Sequence, residues 1–210
     1  MIMKKKFIDV FFTIFISLFF ITSSIKLTVN FKSLYYFDIK HLNIVENSGF
    51  SIENIKEDYN YLIKYINSHN KEDFKIPNLP SSQEGAVHFE EVKNIFVKLD
   101  YLFFISSIIS IIALYYCKKN KVYTAFKYTS IVLISIPIIL LITFLINFDK
   151  VFVIFHKLFF SNDYWIFDPV KDPVINMLPQ DFFMHCGILI NIFIIIFSFI
   201  SHLLYRKNQI

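Results

Sequence analysis

Two histidines are the residues of this chain best placed to move protons. In EGAVHFEEVKNIFVKLDYLFF, His88, Val92, Ile95, Leu99 and Leu102 recur at steps of three and four, which is one face of a helix. Glu84 lies one turn before His88 and Glu91 just under one turn after it, so a carboxylate is expected within hydrogen-bond reach of a ring nitrogen. In KVFVIFHKLFF, Phe152, His156, Phe159 and Phe160 share a face in the same way. The helical pattern then dissolves into SNDYWIFDPVKDPVINMLPQD, where three prolines and the aspartates Asp163, Asp168, Asp172 and Asp181 predict an ordered loop. Imidazole titrates near neutral pH, so two of them can divide base and acid work. A plainer alternative stands beside this one: each histidine is simply satisfied where its helix packs.

Other chemistries find less in the sequence. His88 and His156 with Glu84, Asp163 or Asp168 form the donor set of a two-histidine carboxylate metal site, but no HExxH or other tight ligand spacing accompanies them, and no metal is expected. His185 is a further candidate partner for the pair. There is no GxSxG elbow and no cysteine in a recognisable spacing to a histidine. Cys117 and Cys186 fall at opposite ends of the apolar runs described next, so no disulfide is expected.

The elements that must carry these residues are membrane helices. Hydrophobic residues make up 55% of the chain, an excess that fits a bilayer better than a soluble core. Four apolar runs approach the roughly 20 residues a spanning helix needs: 7–25, 101–117, 128–148 and 186–205. Pro137 lies inside the third, where a kink is expected. MIMKKK ahead of the first run also fits a signal peptide. The run is longer than such peptides carry and SSIKLTV offers no small-x-small cleavage site, so a retained helix is predicted.

Basic residues close to the span ends fix the orientation. Lys4, Lys5 and Lys6 precede the first run, Lys118, Lys119, Lys121 and Lys127 crowd the link 118–127, and Arg206 and Lys207 follow the last run. All fall on one side. Both termini and that link are expected in the cytoplasm, with 26–100 and 149–185 outside. The net charge of +4 thus reports topology and gives no warrant for nucleic-acid binding. The expected fold is a single all-α membrane domain of four spans over 1–210, with a helical outer segment between spans one and two and an ordered outer loop between spans three and four. Within the first outer segment, Ile52, Ile55, Tyr59, Leu62, Ile63 and Ile66 line one helical face and Ser51 is a plausible N-cap. HNKEDFKIPNLPSSQ after it is loop. Tyr164 and Trp165 fit an aromatic belt at headgroup depth.

With these elements in view, HFEEVKNIF and FHKLFFSNDYWIFDPVKDPVINMLPQDFF resemble a family of small four-span bacterial membrane proteins that includes the lipoprotein intramolecular transacylase. The likeness covers most of the chain. It is specific in an HxxEVK-type helix around His88 and an FHxxFFxNDxWxxDPxxDPxIxxLP block from Phe155 to Pro179, and it departs from the pattern at Phe89 and Glu90. The resemblance implies an acyltransferase of the cell membrane, acting at the outer leaflet among phospholipids on a diacylated lipoprotein. In that reaction the acyl chain on the glycerol sn-2 oxygen moves to the α-amino nitrogen of the same N-terminal cysteine. No cofactor and no external acyl donor are implied. His88 and His156 are then the catalytic pair, with Glu84, Glu91, Asn162, Asp163, Trp165 and Asp168 as residues that orient them, steady an oxyanion or bind substrate. A non-enzymatic membrane protein that binds lipid or a partner at its outer face is the alternative. A transporter is disfavoured because the spans carry almost no ionisable groups.

Overall fold

A computed structural model of the protein describes residues 2–207, and among these there are eight helices and no strand. They are α1 (Ile2–Asn30), α2 (Lys32–His41), α3 (Ile44–Ser48), α4 (Ile52–Ile66), α5 (Gln83–Asn120), α6 (Thr124–Phe159), α7 (Val174–Met177) and α8 (Gln180–Lys207). Four helical stretches are long and apolar enough to cross a membrane: Lys5–Asn30, Gln83–Asn120, Thr124–Phe144 and Gln180–Lys207. The chain divides into two compact units, each with its own core.

The first unit comprises residues up to Thr28, Leu99–Ile142 and the chain from Ile188 onward. Large apolar side chains point out of it: Ile111 and Tyr115 are each 68% exposed and Ile139 61%. That is a surface for lipid rather than water. Inside, small polar residues tie one helix to the backbone of another. Thr13 donates to the Ala125 carbonyl at 3.3 Å, Ser198 to that of Ser130 at 2.7 Å and Ser201 to that of Phe126 at 2.8 Å. Short hydroxyl side chains let backbones approach closely where no hydrophobic drive holds helices together. Lys26 and Asp100 form an ion pair within this unit.

The second unit is Val29–Lys98 with Thr143–Gly187. Its centre is the face of α4 foreseen from periodicity. Ile55, Tyr59, Leu62 and Ile63 are buried with Tyr35 and Ile39 of α2, Ile44 of α3 and Val174 and Met177 of α7. Ser51 caps α4, its hydroxyl accepting from the Asn54 N–H at 3.2 Å. Tyr35 stacks on Tyr59 with ring centres 3.7 Å apart, and its hydroxyl donates to the Met177 carbonyl at 2.7 Å. The segment 67–82 is free of helix.

Helix α6 breaks at Asn147, whose extended backbone (φ −170°, ψ 95°) interrupts the helix ten residues beyond Pro137. The expected end of span three, at 148, therefore overshoots the break. Asn147 caps the stretch that follows: its Oδ1 accepts from the Lys150 N–H at 2.9 Å. That stretch is the one that carries His156.

Candidate active site

His88 and His156 meet within the second unit. They lie 68 positions apart in sequence, and their ring centres are 6.1 Å apart with planes at 32°. This spacing is too long for one ring to hydrogen-bond the other and short enough for both to touch one reacting group. Phe160 fills the corner between them, 4.7 Å from the His88 ring and 5.7 Å from the His156 ring. Phe167 closes another side of His88 at 5.4 Å. Phe89, at the departure from the family pattern, stacks between Phe74 (4.4 Å) and Phe167 (5.7 Å) and extends this aromatic wall.

The environment makes both rings weak proton acceptors. His88 is only 6% exposed, and burial, with the neighbouring His156 second, pulls its pKa down to about 4. Burial also lowers His156, opposed by its bond to a backbone carbonyl. Both are neutral at neutral pH. The tautomer of His156 follows from that bond: Nδ1 lies 2.7 Å from the Phe152 carbonyl oxygen, which only accepts, so Nδ1 carries the proton and Nε2 the lone pair. Trp165, read from sequence as an aromatic-belt residue, stacks on the His156 ring at 4.7 Å and 27°.

The carboxylates are arranged differently from the expectation. No hydrogen bond joins His88 to Glu84 or Glu91; its Nδ1 is buried without a partner, and Glu84 is exposed. Glu91 turns to the loop after α6, where its Oε1 accepts from Asn162 Nδ2 at 2.8 Å. Asn162 Oδ1 in turn accepts from the Tyr164 N–H at 3.1 Å, which shapes the turn that delivers Trp165. Asp163 and Asp168 are exposed and serve the loop backbone, Asp163 through its carbonyl to Ile166 N–H and Asp168 through its carboxylate to Val170 N–H. His185 is not a third member of the pair. Its Nδ1 lies 2.9 Å from both carboxylate oxygens of the fully buried Asp38.

One positioning residue was missed in the sequence. Asp172 is buried and accepts from the backbone N–H and the hydroxyl of Ser82, both at 2.7 Å, while Ser82 Oγ accepts from the Gly85 N–H at 2.9 Å. The loop thereby anchors the start of the helix that carries His88. A Cβ at Gly85 would run into the Asp172 carboxylate, so glycine is what permits the approach. A DP dipeptide reads as turn chemistry, and nothing local marks its carboxylate as a helix anchor. Among the described residues, no three His, Cys, Asp or Glu side chains gather where a metal could sit, and both cysteines are free thiols.

The family model described as "Lipoprotein intramolecular transacylase Lit" matches residues 10–183. The chain belongs to the lipoprotein intramolecular transacylase family. It is a multi-pass membrane acyltransferase, which removes the non-enzymatic alternative. Among solved structures it is similar to the in meso structure of the membrane-integral lipoprotein intramolecular transacylase Lit from Bacillus cereus. Identity there is 38% and the TM-score 0.96, over 100% of this chain and 97% of that one. Two structures of the Bacillus cereus protein with a single histidine replaced, by arginine in one and alanine in the other, match at 38% identity and a TM-score of 0.87. They cover 97% of this chain, and 91% and 93% of their own. No curated protein sequence matches.

Proposed function

We propose that this transacylase moves the sn-2 acyl chain of a diacylglyceryl-cysteine to the α-amino group of that cysteine, with His156 and His88 handling the protons. The observation that carries the reading is the pair itself: two neutral imidazoles 6.1 Å apart, one with a fixed tautomer, in a family of acyltransferases. The step balances without a co-reactant. The amine nitrogen attacks the ester carbonyl carbon and the C–N bond forms. The bond from that carbon to the glycerol sn-2 oxygen breaks, and the nitrogen's proton ends on the oxygen. Product and substrate are isomers.

His156 is the base, because its lone pair sits on Nε2 while Nδ1 is held by the Phe152 carbonyl. The imidazolium so formed gives up its proton more readily than a free one, since burial opposes its charge. Its proton reaches the leaving glycerol oxygen through the reacting group that both rings touch, with His88 bonding to that oxygen as it leaves. An α-amine of pKa near roughly 8 needs only a modest base. Donor and acceptor belong to one molecule, so orientation supplies much of the catalysis, on the order of several kcal/mol. Trp165 carries a buried indole N–H without a partner, and we assign it to the oxygen that becomes negative in the tetrahedral intermediate. Asn162 orients the loop, and Asp163 and Asp168 act on its backbone alone. In this reading 26–100 and 149–185 lie outside, 118–127 and both termini lie in the cytoplasm, and the pair works at the outer leaflet among phospholipids. No cofactor takes part.

The test uses purified protein in lipid vesicles and a synthetic diacyl lipopeptide deuterated in its sn-2 chain. Fragmentation is expected to find the label on the cysteine nitrogen. Label released as free fatty acid would make the protein a hydrolase and overturn the transfer.

A further inference from the structure

Glu91 holds a carboxylate that its surroundings only half use. Asn162 occupies Oε1 at 2.8 Å, while Oε2 is buried with no hydrogen-bond partner. Leaving such an oxygen unpaired is costly, the more so for a charged group, and loop anchoring alone gives folding no reason to carry that cost. Glu91 also lines a groove of about 410 Å³ whose wall includes Phe160, the ring packed against His88. Lys98 and Lys157, both exposed, line the same groove. The groove thus brings a carboxylate with one unpaired oxygen up to Phe160, the ring that packs on both histidines, while the two lysines sit at its exposed side.

We infer that Glu91 is the receptor for the α-ammonium group of the substrate's N-terminal cysteine. The inference rests on the transfer reading above and adds to it how the reacting nitrogen is held. At neutral pH that nitrogen is an ammonium with three N–H donors, and a carboxylate oxygen within the site is its complement. The ammonium gives up one proton to solvent on becoming the amine that attacks. Glu91 so placed also discriminates: a lipoprotein whose nitrogen is already acylated has no charge to offer it, so the product leaves.

The experiment compares two lipopeptides with alkyl ethers in place of both esters, one with the α-amine and one with hydrogen in its place, so that neither reacts. Binding to the full protein in bicelles is measured for wild type and Glu91→Gln, whose amide oxygen still accepts from Asn162. Wild type is expected to prefer the amine form about tenfold or more, and Glu91→Gln less than about twofold. An equal preference in both proteins overturns the inference. Should the variant not fold, the wild-type preference itself decides: it must fade as pH rises through roughly 8, and a pH-independent preference overturns the inference. Turnover of the ester lipopeptide by wild type is scored separately. Product with no amine preference sinks the Glu91 role alone, whereas no product sinks the transfer reading and leaves the ether pair to decide on Glu91.

Discussion

The second unit contains two histidine arrangements, and they are built on opposite principles. His185 is clasped by a carboxylate: both oxygens of buried Asp38 lie 2.9 Å from its Nδ1. That contact ties α2 to α8, and its partner is a carboxylate buried in the fold rather than another histidine. His88 and His156 face each other across 6.1 Å among Phe160, Phe167 and Trp165, with no carboxylate on either ring. A carboxylate partner would favour the imidazolium; its absence keeps both rings neutral and leaves a lone pair available. The contrast separates a histidine that holds the fold from histidines that the fold holds ready.

The sharpest way to break the comparison is substitution of each kind. His156→Ala and His88→Ala should each lower lyso-lipopeptide formation by about 10²–10⁴-fold in vesicles while the protein stays folded. Activity near wild type in either variant dissolves the distinction. His185→Ala should do the reverse: it strands the Asp38 carboxylate in the interior, lowering unfolding stability by about 3 kcal/mol, with turnover per folded molecule close to wild type. A stable His185→Ala protein with no turnover would move His185 into the chemistry.

Acid titration sharpens the contrast further. Folding holds His88 at about 4, below the 6.5 of a free imidazole, so the unfolded chain binds more protons between those values. The stability due to a neutral His88 is complete above pH 6.5 and is lost as pH falls toward 4. The melting temperature of wild type should therefore drop across that window more than that of His88→Phe. Parallel curves would mean that His88 is not held neutral. The smallest effect belongs to the cap at the start of α4. Ser51→Ala removes one cap bond and should cost about 1 kcal/mol with unchanged turnover.

What the sequence disclosed was what repeats along it. The face of α4 and its Ser51 cap, the apolar runs, and the apolar-side placement of both histidines are all local patterns of three and four residues. What it hid is set by tertiary contact. Glu91 is one turn from His88, yet its partner is Asn162, 71 positions away, and not the ring. Asp172 and Ser82 are 90 positions apart, so an anchor for α5 read as a loop residue. Proline chemistry pointed to Pro137 for a kink in α6 and gave no sign of the break at Asn147, whose side chain caps the helix that resumes. Trp165 fits an aromatic belt by composition, and only the fold of its loop lays the indole on His156.

The central claim is that these two histidines, and not a nucleophile, carry the transfer. Its most direct test is mass spectrometry of a lipoprotein's N-terminal lipopeptide, from cells that otherwise make only the diacyl form. With the wild-type chain, the isobaric N-acyl, S-monoacyl species should appear, and with His156→Ala present in the membrane at equal level it should not. Persistence of that species in the variant, or an unchanged diacyl form with the wild-type protein in place, would contradict the account.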